Sequence, residues 1–346
     1  MAEAEAIAGK TLLAVENLKK HYPIKGGLIT HTVGVTKAVD GISFSVNQGE
    51  TLGLVGESGC GKSTVGRQIV ALEKPTDGHV YFDGQDLVTL PEKRLRGLRT
   101  QLQMVFQDSY SSLNPRKRAF DIISEPMLYH KIVPRGEAEA EVDRLLNLVG
   151  LPSGSKQRFP HEFSGGQRQR IGIARALSLR PRLLVCDEPV SALDVSVQAQ
   201  ILNLLRSLQK ELGLTCLFIG HGLGAVNYVS DRIAVMYMGK LVEIASADEL
   251  FTHPAHPYTQ ALCAAVPNPD PDDRGDAMIL QGEAGGFAGT GETESASGCI
   301  FYRRCPVARE SCRNGEPELA PLPNHGDHLA ACPYARDWDG GKDGVS

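Results

Sequence analysis

Short apolar runs alternate with amphipathic stretches along much of the chain. The runs Leu12–Val15, Gly41–Val46 and Thr51–Val55 have the length and apolar character of strands. Further along, Arg182–Cys186 and Leu214–Ile219 are almost continuously apolar, as expected for parallel strands that are buried on both faces. This order of elements predicts an α/β fold with a mostly parallel sheet.

Helical periodicity fills the gaps between the predicted strands. Over residues 63–72, the side chains of Val65, Ile69 and Leu72 fall on one face, which predicts a helix. A longer amphipathic helix is predicted over residues 197–212. Its apolar face consists of Ile201, Leu204, Leu205, Leu208 and Leu212.

Changes in composition divide the chain into a main domain and an extension. Residues 1–250 carry the alternation of strands and helices and are predicted to form one domain, with a helical subdomain at about 108–180. Residues 23–36 are predicted to form a loop or hairpin inserted between strands. Prolines then become frequent, which predicts an extension over 251–346 with a loose linker at 268–298.

The overall composition is that of an ordinary globular protein. The chain has 346 residues, of which 42% are hydrophobic and 22% charged, and its formal net charge is −5. This charge argues against a protein that wraps nucleic acid, because phosphate neutralisation requires a basic surplus. No run approaches the roughly 20 apolar residues of a membrane-spanning helix, and the first residues lack a signal-peptide pattern. The expected location is therefore the cytoplasm.

A phosphate-binding loop is predicted between the strand Thr51–Val55 and the helix that follows it. The segment Gly56–Ser63 matches G-x-x-x-x-G-K-S, in which glycines let backbone N–H groups converge on phosphates at a helix N-terminus. Lys62 is expected to contact the β- and γ-phosphates, and the Ser63 hydroxyl to bind Mg²⁺. The predicted ATP contacts here are Gly56, Glu57, Ser58, Gly59, Cys60, Gly61, Lys62, Ser63 and Thr64.

Acidic and imidazole side chains follow two other predicted strands. Asp187 and Glu188 come directly after one buried strand, and His221 follows the next. Because the carboxyl ends of parallel strands meet at one edge of a sheet, these residues are expected near the phosphate loop. Asp187 is expected to hold Mg²⁺ through water, and Glu188 to polarise the attacking water. His221 is either a γ-phosphate contact or a structural histidine.

A second anion site is predicted where Ser164–Arg170 leads into another helix. Ser164 is a natural N-cap, and Gly165 and Gly166 leave backbone N–H groups bare at the positive end of that helix. One ATP does not require both anion sites within one subunit. The second site is therefore expected to serve a nucleotide held by another subunit.

Together, these motifs resemble those of the ATP-binding subunits of ABC transporters. The resemblance extends over residues 22–221 in the family's order. It implies Tyr22 as the adenine-stacking residue, Gln107 in the Q-loop, Ser164, Gly165, Gly166 and Gln167 in the signature that binds ATP in trans, Asp187 and Glu188 in Walker B, Asp194 in the D-loop, and His221 as the switch histidine.

This resemblance also implies a fold and a set of catalytic residues. The fold is α/β, with a RecA-like parallel sheet core, an antiparallel β subdomain, a helical subdomain and a small C-terminal cysteine-containing extension. The implied catalytic residues are Lys62, Gln107, Glu188 and His221, and the implied Mg²⁺ ligands are Ser63, Gln107 and Asp187.

Further segments narrow the resemblance to importers of dipeptides, oligopeptides and nickel. They are Gln107–Pro115, Val190–Gln200 and His256–Leu262, and the insertion at 23–36 resembles the F-type ATPase of dipeptide and oligopeptide permeases. The implied function is ATP hydrolysis that energises peptide import at the cytoplasmic face of a bacterial inner membrane. The implied partners are a D-type ATPase in a heterodimer, two permease subunits and, indirectly, an extracytoplasmic solute-binding protein. The alternatives are nickel or glutathione-like cargo, and a soluble ABC ATPase without a membrane partner.

The surroundings of the switch histidine depart from the family pattern. The family usually has serine before this histidine and aspartate after it, whereas Gly220 and Gly222 flank His221 here. The missing side chains predict a less firmly oriented imidazole and slower hydrolysis.

Four of the eight cysteines lie close to the C-terminus, at positions 299, 305, 312 and 332. Gly298–Pro306 resembles the C-terminal extension of peptide-importer ATPases, which implies a [4Fe–4S] cluster on Cys299, Cys305, Cys312 and Cys332. Zinc is the alternative, held by the four thiolates or with His325 or His328 in place of one of them. Four unligated, buried cysteines are the third interpretation.

Overall fold

The computed structural model describes residues 10–26, 31–108, 111–266, 298–323 and 327–335. The predicted linker lies outside these ranges except for its last residue. The strands are β1 (Thr11–Gly26), β2 (His31–Asn47), β3 (Thr51–Val55), β4 (Asp77–Phe82), β5 (Gln85–Asp86), β6 (Leu102–Val105), β7 (Leu183–Asp187), β8 (Thr215–Gly220), β9 (Arg232–Tyr237), β10 (Lys240–Ser246), β11 (Ala320–Pro321) and β12 (Leu329–Ala330). The α-helices are α1 (Lys62–Ile69), α2 (Glu92–Leu98), α3 (Ala119–Tyr129), α4 (Ala138–Leu148), α5 (Gly165–Leu177), α6 (Val195–Leu212), α7 (Leu223–Val229), α8 (Ala247–Thr252) and α9 (Pro257–Ala264).

The larger sheet has eight strands in the order β11-β12-β10-β9-β3-β8-β7-β6. Its pairs β6–β7, β7–β8, β8–β3 and β3–β9 are parallel, so these five strands form the predicted parallel core. The remaining pairs in this sheet are antiparallel. Because β3, β8, β7 and β6 are neighbours, the segments that follow them meet at one edge.

The smaller sheet is antiparallel, with strands in the order β2-β1-β4-β5. The predicted insertion at 23–36 extends the β1–β2 pair, since the register runs on from Tyr22↔Thr36 to Gly26↔His31. Apolar side chains of the two sheets share one cluster, in which Leu13 and Phe82 pack with Leu52 and Ile69. This arrangement and the parallel core confirm the predicted fold class.

Helices α3, α4 and α5 occupy the stretch that was predicted to be helical, and no strand interrupts its described residues. Helix α6 buries Ile201, Leu205 and Leu208 as its periodicity predicts. Two residues were assigned wrongly to apolar faces: Leu212 is 41% exposed in the last turn of α6, and Leu72 is 58% exposed. Leu72 is exposed because α1 ends at Ile69 and the chain then turns through a left-handed residue at position 71.

The described helices are all too short or too polar to cross a bilayer.

The C-terminal extension joins the main sheet through β12, which pairs with β10. Beneath this pair, the fully buried carboxylate of Glu243 accepts hydrogen bonds from the backbone N–H groups of Ala255 and His256, at 2.8 and 2.7 Å. The buried His328 lies with its Nε2 2.7 Å from the same carboxylate. The Glu243 carboxylate therefore connects β10 with two segments of the extension, the one before α9 and the one before β12.

We expect docking of the extension to depend on pH, because His328 is titratable and lies against Glu243. Burial alone would lower the pKa of His328, but its hydrogen bonds and ion pairs with Glu243 and Glu249 raise the pKa above the ordinary value of 6.5. A raised folded-state pKa contributes stability that is full below about pH 6.5 and is lost as the pH rises through the folded value.

Replacing Glu243 by glutamine should lower the free energy of opening of the extension by about 2 kcal/mol, because hydrogen bonds to a buried charge are weakened. Hydrogen exchange of peptides covering β10 and β12 measures this change. Glu310→Gln is the control, since Glu310 is 80% exposed and pairs with Arg313 on the surface. Equal exchange in both variants would contradict the role of Glu243.

Candidate nucleotide site

Segments that follow four adjacent strands of the main sheet form the candidate site. The phosphate loop follows β3 and His221 follows β8, while Asp187 ends β7 and Glu188 comes next. Gln107 lies two residues beyond β6. The structure thus brings the predicted catalytic residues to one edge, which is the usual position of ligands in parallel α/β sheets.

The phosphate loop requires glycine at two positions. Gly56 and Gly61 have φ angles of +155° and +110°, which L-residues rarely adopt. A Cβ atom at Gly61 would lie 2.0 Å from the carbonyl oxygen of Ala38, and one at Gly56 would lie 2.1 Å from that of Met236. The loop is therefore held tightly against β2 and the end of β9, directly ahead of α1.

Lys62 and Ser63 occupy the first turn of α1. The Lys62 ammonium is buried and donates to the carbonyl oxygens of Gly56 and Glu57, at 2.7 and 2.9 Å. The Ser63 hydroxyl donates to Oδ1 of Asp187, at 2.8 Å. Burial raises the pKa of Asp187, against the lowering effect of this hydrogen bond. The serine hydroxyl and the carboxylate are oxygen ligands of the kind that Mg²⁺ prefers.

Glu188 forms the centre of a polar cluster at the same edge. Its backbone has a φ angle of +44°, an uncommon conformation for a residue with a side chain and one that clusters at functional sites. The carboxylate Oε2 accepts a 2.8 Å hydrogen bond from Nε2 of Gln107 and lies 3.7 Å from Nδ1 of His221. The Glu188 carboxylate therefore lies between the side chains of Gln107 and His221.

His221 is an exposed member of this cluster, with 60% of its side chain accessible. The two glycines beside it differ in the space around them. A Cβ atom at Gly220 would lie 2.6 Å from Cγ2 of Val226, whereas one at Gly222 would meet no atom within 4 Å. Packing of α7 against the end of β8 therefore explains glycine at position 220, and nothing in the structure explains it at position 222.

The predicted signature begins helix α5 with a capping box. The Ser164 hydroxyl accepts from the N–H of Gln167, and the Gln167 side chain accepts from the N–H of Ser164, at 3.4 and 3.1 Å. Added Cβ atoms at Gly165 and Gly166 would approach Leu193 and Val197, at 3.2 and 2.4 Å. Asp194 is the N-cap of α6, and the residues around it pack against the start of α5. Glycine is needed at positions 165 and 166 because a side chain there would collide with this segment.

Tyr22 lies on β1, and its hydroxyl donates a 2.6 Å hydrogen bond to Glu73. Partial burial and Glu73 raise the pKa of the Tyr22 phenol, while a hydrogen bond with Thr64 acts in the opposite direction. The ring is 36% exposed and lies beside α1, the helix that begins at the phosphate loop. This position is compatible with the predicted stacking on adenine.

The four C-terminal cysteines do not form the predicted metal site. Cys299, Cys305, Cys312 and Cys332 are free thiols that line one cavity of about 280 Å³. Within the described ranges, no group of three or more His, Cys, Asp or Glu residues is arranged to hold a metal ion.

The four thiols are only partly exposed. Burial raises the pKa of the Cys299 and Cys332 thiols, and that of Cys305 to about 11. His328 is bound to Glu243. His325 lies outside the described residues. The [4Fe–4S] prediction and its zinc alternative are therefore both wrong for this structure.

The sequence reasoning missed residues of the extension that contact the phosphate loop. The Arg304 guanidinium binds both carboxylate oxygens of Glu57, each at 2.9 Å, and the Tyr258 hydroxyl accepts from the Glu57 N–H. Both residues lie in segments that carried the family resemblance. Arg304 directly precedes Cys305. The cysteine pattern gives no sign that this arginine pairs with Glu57.

Comparison with known proteins shows similarity to the ATP-binding proteins of transporters. The family model described as "ABC transporter" matches residues 39–191, and the model "Oligopeptide/dipeptide transporter, C-terminal region" matches residues 242–312. The oligopeptide transport ATP-binding protein AppF of Bacillus subtilis is 49% identical over 93% of this chain and 97% of its own length. OppF of Escherichia coli, which has the same description, is 48% identical over 90% of this chain and 93% of its own.

Solved structures show the same fold. A dimeric structure of the ATP-binding cassette MJ0796, bound to ADP and Pi, has a TM-score of 0.61 and 28% identity, and the match covers 68% of this chain and 98% of that one. CbiO1 from Clostridium perfringens, part of the cbiONQ transporter complex, also has a TM-score of 0.61 and 28% identity, over 71% and 92% of the two chains. The chain belongs to the ABC transporter family, within its oligopeptide and dipeptide transport ATP-binding proteins.

Proposed function

We propose that this chain is the ATP-hydrolysing subunit of a peptide importer and works as half of an ATPase dimer. The observation that carries the proposal is the meeting of the phosphate loop, Asp187, Glu188, Gln107 and His221 at one edge of the parallel sheet. Each polar group there has a place in phosphoryl transfer, which depends on positioning and charge neutralisation more than on covalent chemistry.

The contacts of these side chains support a role for each of them. Lys62 lies at the N-terminus of α1, where it neutralises phosphate charge together with the helix end. Ser63, Asp187 and Gln107 would hold Mg²⁺, which would help to neutralise the charge on the phosphates. Glu188 accepts a proton from the attacking water, and His221 lies beside it.

The signature supports a site shared between two chains. Ser164 and Gln167 cap helix α5, which begins against residues 193–197 and not at the phosphate loop. The bare N–H groups of this helix end are suited to a phosphate held by a second chain. The solved structure of MJ0796 is a dimer bound to ADP and Pi. We assign the second half to a related D-type ATPase, so that two nucleotides are held between two different chains.

Peptide cargo and membrane partners are supported by the relatives. AppF and OppF are named for oligopeptide transport, and both match nearly the whole chain. A subunit of this kind binds two permease subunits at the cytoplasmic face of the membrane and acts on the solute-binding protein only through them.

Co-expression with the two permease subunits and the second ATPase should yield a complex that imports peptide. In proteoliposomes with ATP on the ATPase side, we expect uptake of a labelled oligopeptide in the presence of the solute-binding protein. Lys62→Ala should abolish uptake, because the phosphates lose their main cation. Uptake of Ni²⁺ or glutathione without uptake of peptides would contradict the peptide assignment.

A further inference from the structure

The C-terminal extension contacts the phosphate loop at Glu57, the residue directly after Gly56. The two terminal nitrogens of Arg304 each lie 2.9 Å from one carboxylate oxygen of Glu57, a bidentate pair. Only 12% of the Arg304 side chain and 27% of the Glu57 side chain are exposed. The pair joins residues 247 positions apart. It therefore links the extension to the loop at a largely desolvated point.

The backbone of the same loop residue is held from another direction. The N–H of Glu57 donates a 2.9 Å hydrogen bond to the Tyr258 hydroxyl on α9. Tyr258 is fully buried, and its ring packs against Tyr237 and Phe301, with centroids 4.8 and 5.5 Å apart. Because these rings are locked by packing, the hydroxyl has a fixed position.

Arg304 is supported by the same aromatic cluster. Its guanidinium lies 5.7 Å from the ring centroid of Tyr237, and Nη1 also donates to the Tyr237 hydroxyl at 3.4 Å. The hydrogen bonds with Glu57 raise the pKa of Arg304, so the group stays charged at any physiological pH. The extension thus places a permanent, oriented cation, Arg304, against Glu57 of the loop.

This cation has an electrostatic consequence for nucleotide binding. Glu57 places a carboxylate in a loop whose proposed ligand is a polyphosphate, and an unpaired carboxylate there would repel it. Arg304 neutralises the carboxylate and holds it in a bidentate pair.

We propose that Arg304 and Tyr258 are positioning residues for the phosphate loop, through which the C-terminal extension sets the affinity for the nucleotide's phosphates. This rests on the proposed role of the loop in binding ATP. Neither residue acts on the nucleotide directly; both act through Glu57. Since binding free energies are reciprocal, a nucleotide on the loop in turn strengthens docking of the extension.

The test is equilibrium binding of MgADP and MgATP to the full chain. Arg304→Ala should weaken binding about tenfold, the effect of about 1.4 kcal/mol lost when a close charge pair is broken. Glu57→Gln in the Arg304→Ala background should restore most of this loss, because it removes the unpaired carboxylate. Tyr258→Phe should weaken binding by a smaller factor, since it leaves the Glu57 N–H without its partner.

Two further variants separate the possible outcomes. Arg313→Ala is the matched control, since Arg313 stacks on Tyr302 in the same extension and pairs with Glu310. It should bind nucleotide as the unmodified chain does. Lys62→Ala should lose nucleotide binding whether or not the extension is docked. Unchanged binding in Lys62→Ala would contradict the proposed function and not the role of Arg304.

The double variant distinguishes positioning from damage to the extension. Undocking of the extension would weaken binding equally in Arg304→Ala and in Arg304→Ala combined with Glu57→Gln, so a loss that Glu57→Gln does not relieve would overturn the proposal. Unchanged binding in Arg304→Ala would overturn it too. Protease resistance of the extension with and without MgADP gives the reciprocal readout, and protection that is equal in both conditions would contradict the linkage.

Discussion

Replacing Glu188 by glutamine should reduce ATP hydrolysis by about 10²- to 10⁴-fold, the usual effect of losing a positioned general base, while ATP binding survives. Oε2 of Glu188 lies 2.8 Å from the Gln107 amide and 3.7 Å from His221. Glutamine keeps the shape of the side chain, and its carbonyl oxygen still accepts from Gln107. The glutamine amide does not accept a proton from water. We therefore expect the rate of the hydrolysis step to fall and ATP affinity to be kept.

Single-turnover hydrolysis and equilibrium ATP binding, measured on the same preparation, check this prediction. The variant should also accumulate as an ATP-bound dimer in light scattering, because hydrolysis no longer releases it. Glu92→Gln is the control: its carboxylate is 59% exposed and pairs with Arg99 on the surface. Near-normal turnover in Glu188→Gln would remove Glu188 from the role of base.

Spacing and periodicity predict much of this site because it is built from strand ends. The runs before Gly56, Asp187 and His221 are apolar enough to be recognised as buried parallel strands, and parallel strands bring their carboxyl ends together. The contact between Gln107 and Glu188 has no such local signal. It joins residues 81 positions apart and depends on the left-handed backbone at Glu188, which no propensity indicates.

The extension shows where a cluster of cysteines and a family resemblance mislead. Together they predict a metal site, but cysteine spacing does not determine how the thiols are arranged in space. Within the described residues, these cysteines are not arranged to hold a metal ion. The charged residue that matters for the site is Arg304, whose partner Glu57 lies 247 positions away. Sequence separation of this size hides an ion pair until the fold is known.

Replacing Gly166 by alanine should lower hydrolysis of the ATP on the partner's phosphate loop by about 100-fold and leave ATP binding to the chain's own phosphate loop intact. The new Cβ would lie 2.4 Å from Cγ1 of Val197. Val197 is β-branched and stiff in a helix, so the start of α5 has to move instead. A shift of about 1 Å in the N–H groups that face the partner's ATP is enough for a loss of this size.

The matched control is Gly172→Ala, which lies on the same helix and would place its Cβ more than 4 Å from any heavy atom outside its chain neighbours and the backbone of its own helix. ATP affinity and hydrolysis should both be unchanged in this variant. The decisive measurement pairs the unmodified D-type ATPase with Gly166→Ala, with Lys62→Ala and with a chain that carries both changes. If the signature acts in trans, the two changes damage different composite sites, so the double variant loses the hydrolysis that each single variant keeps. Hydrolysis by the double variant equal to that of Lys62→Ala alone, in dimers that form normally, would contradict the shared site.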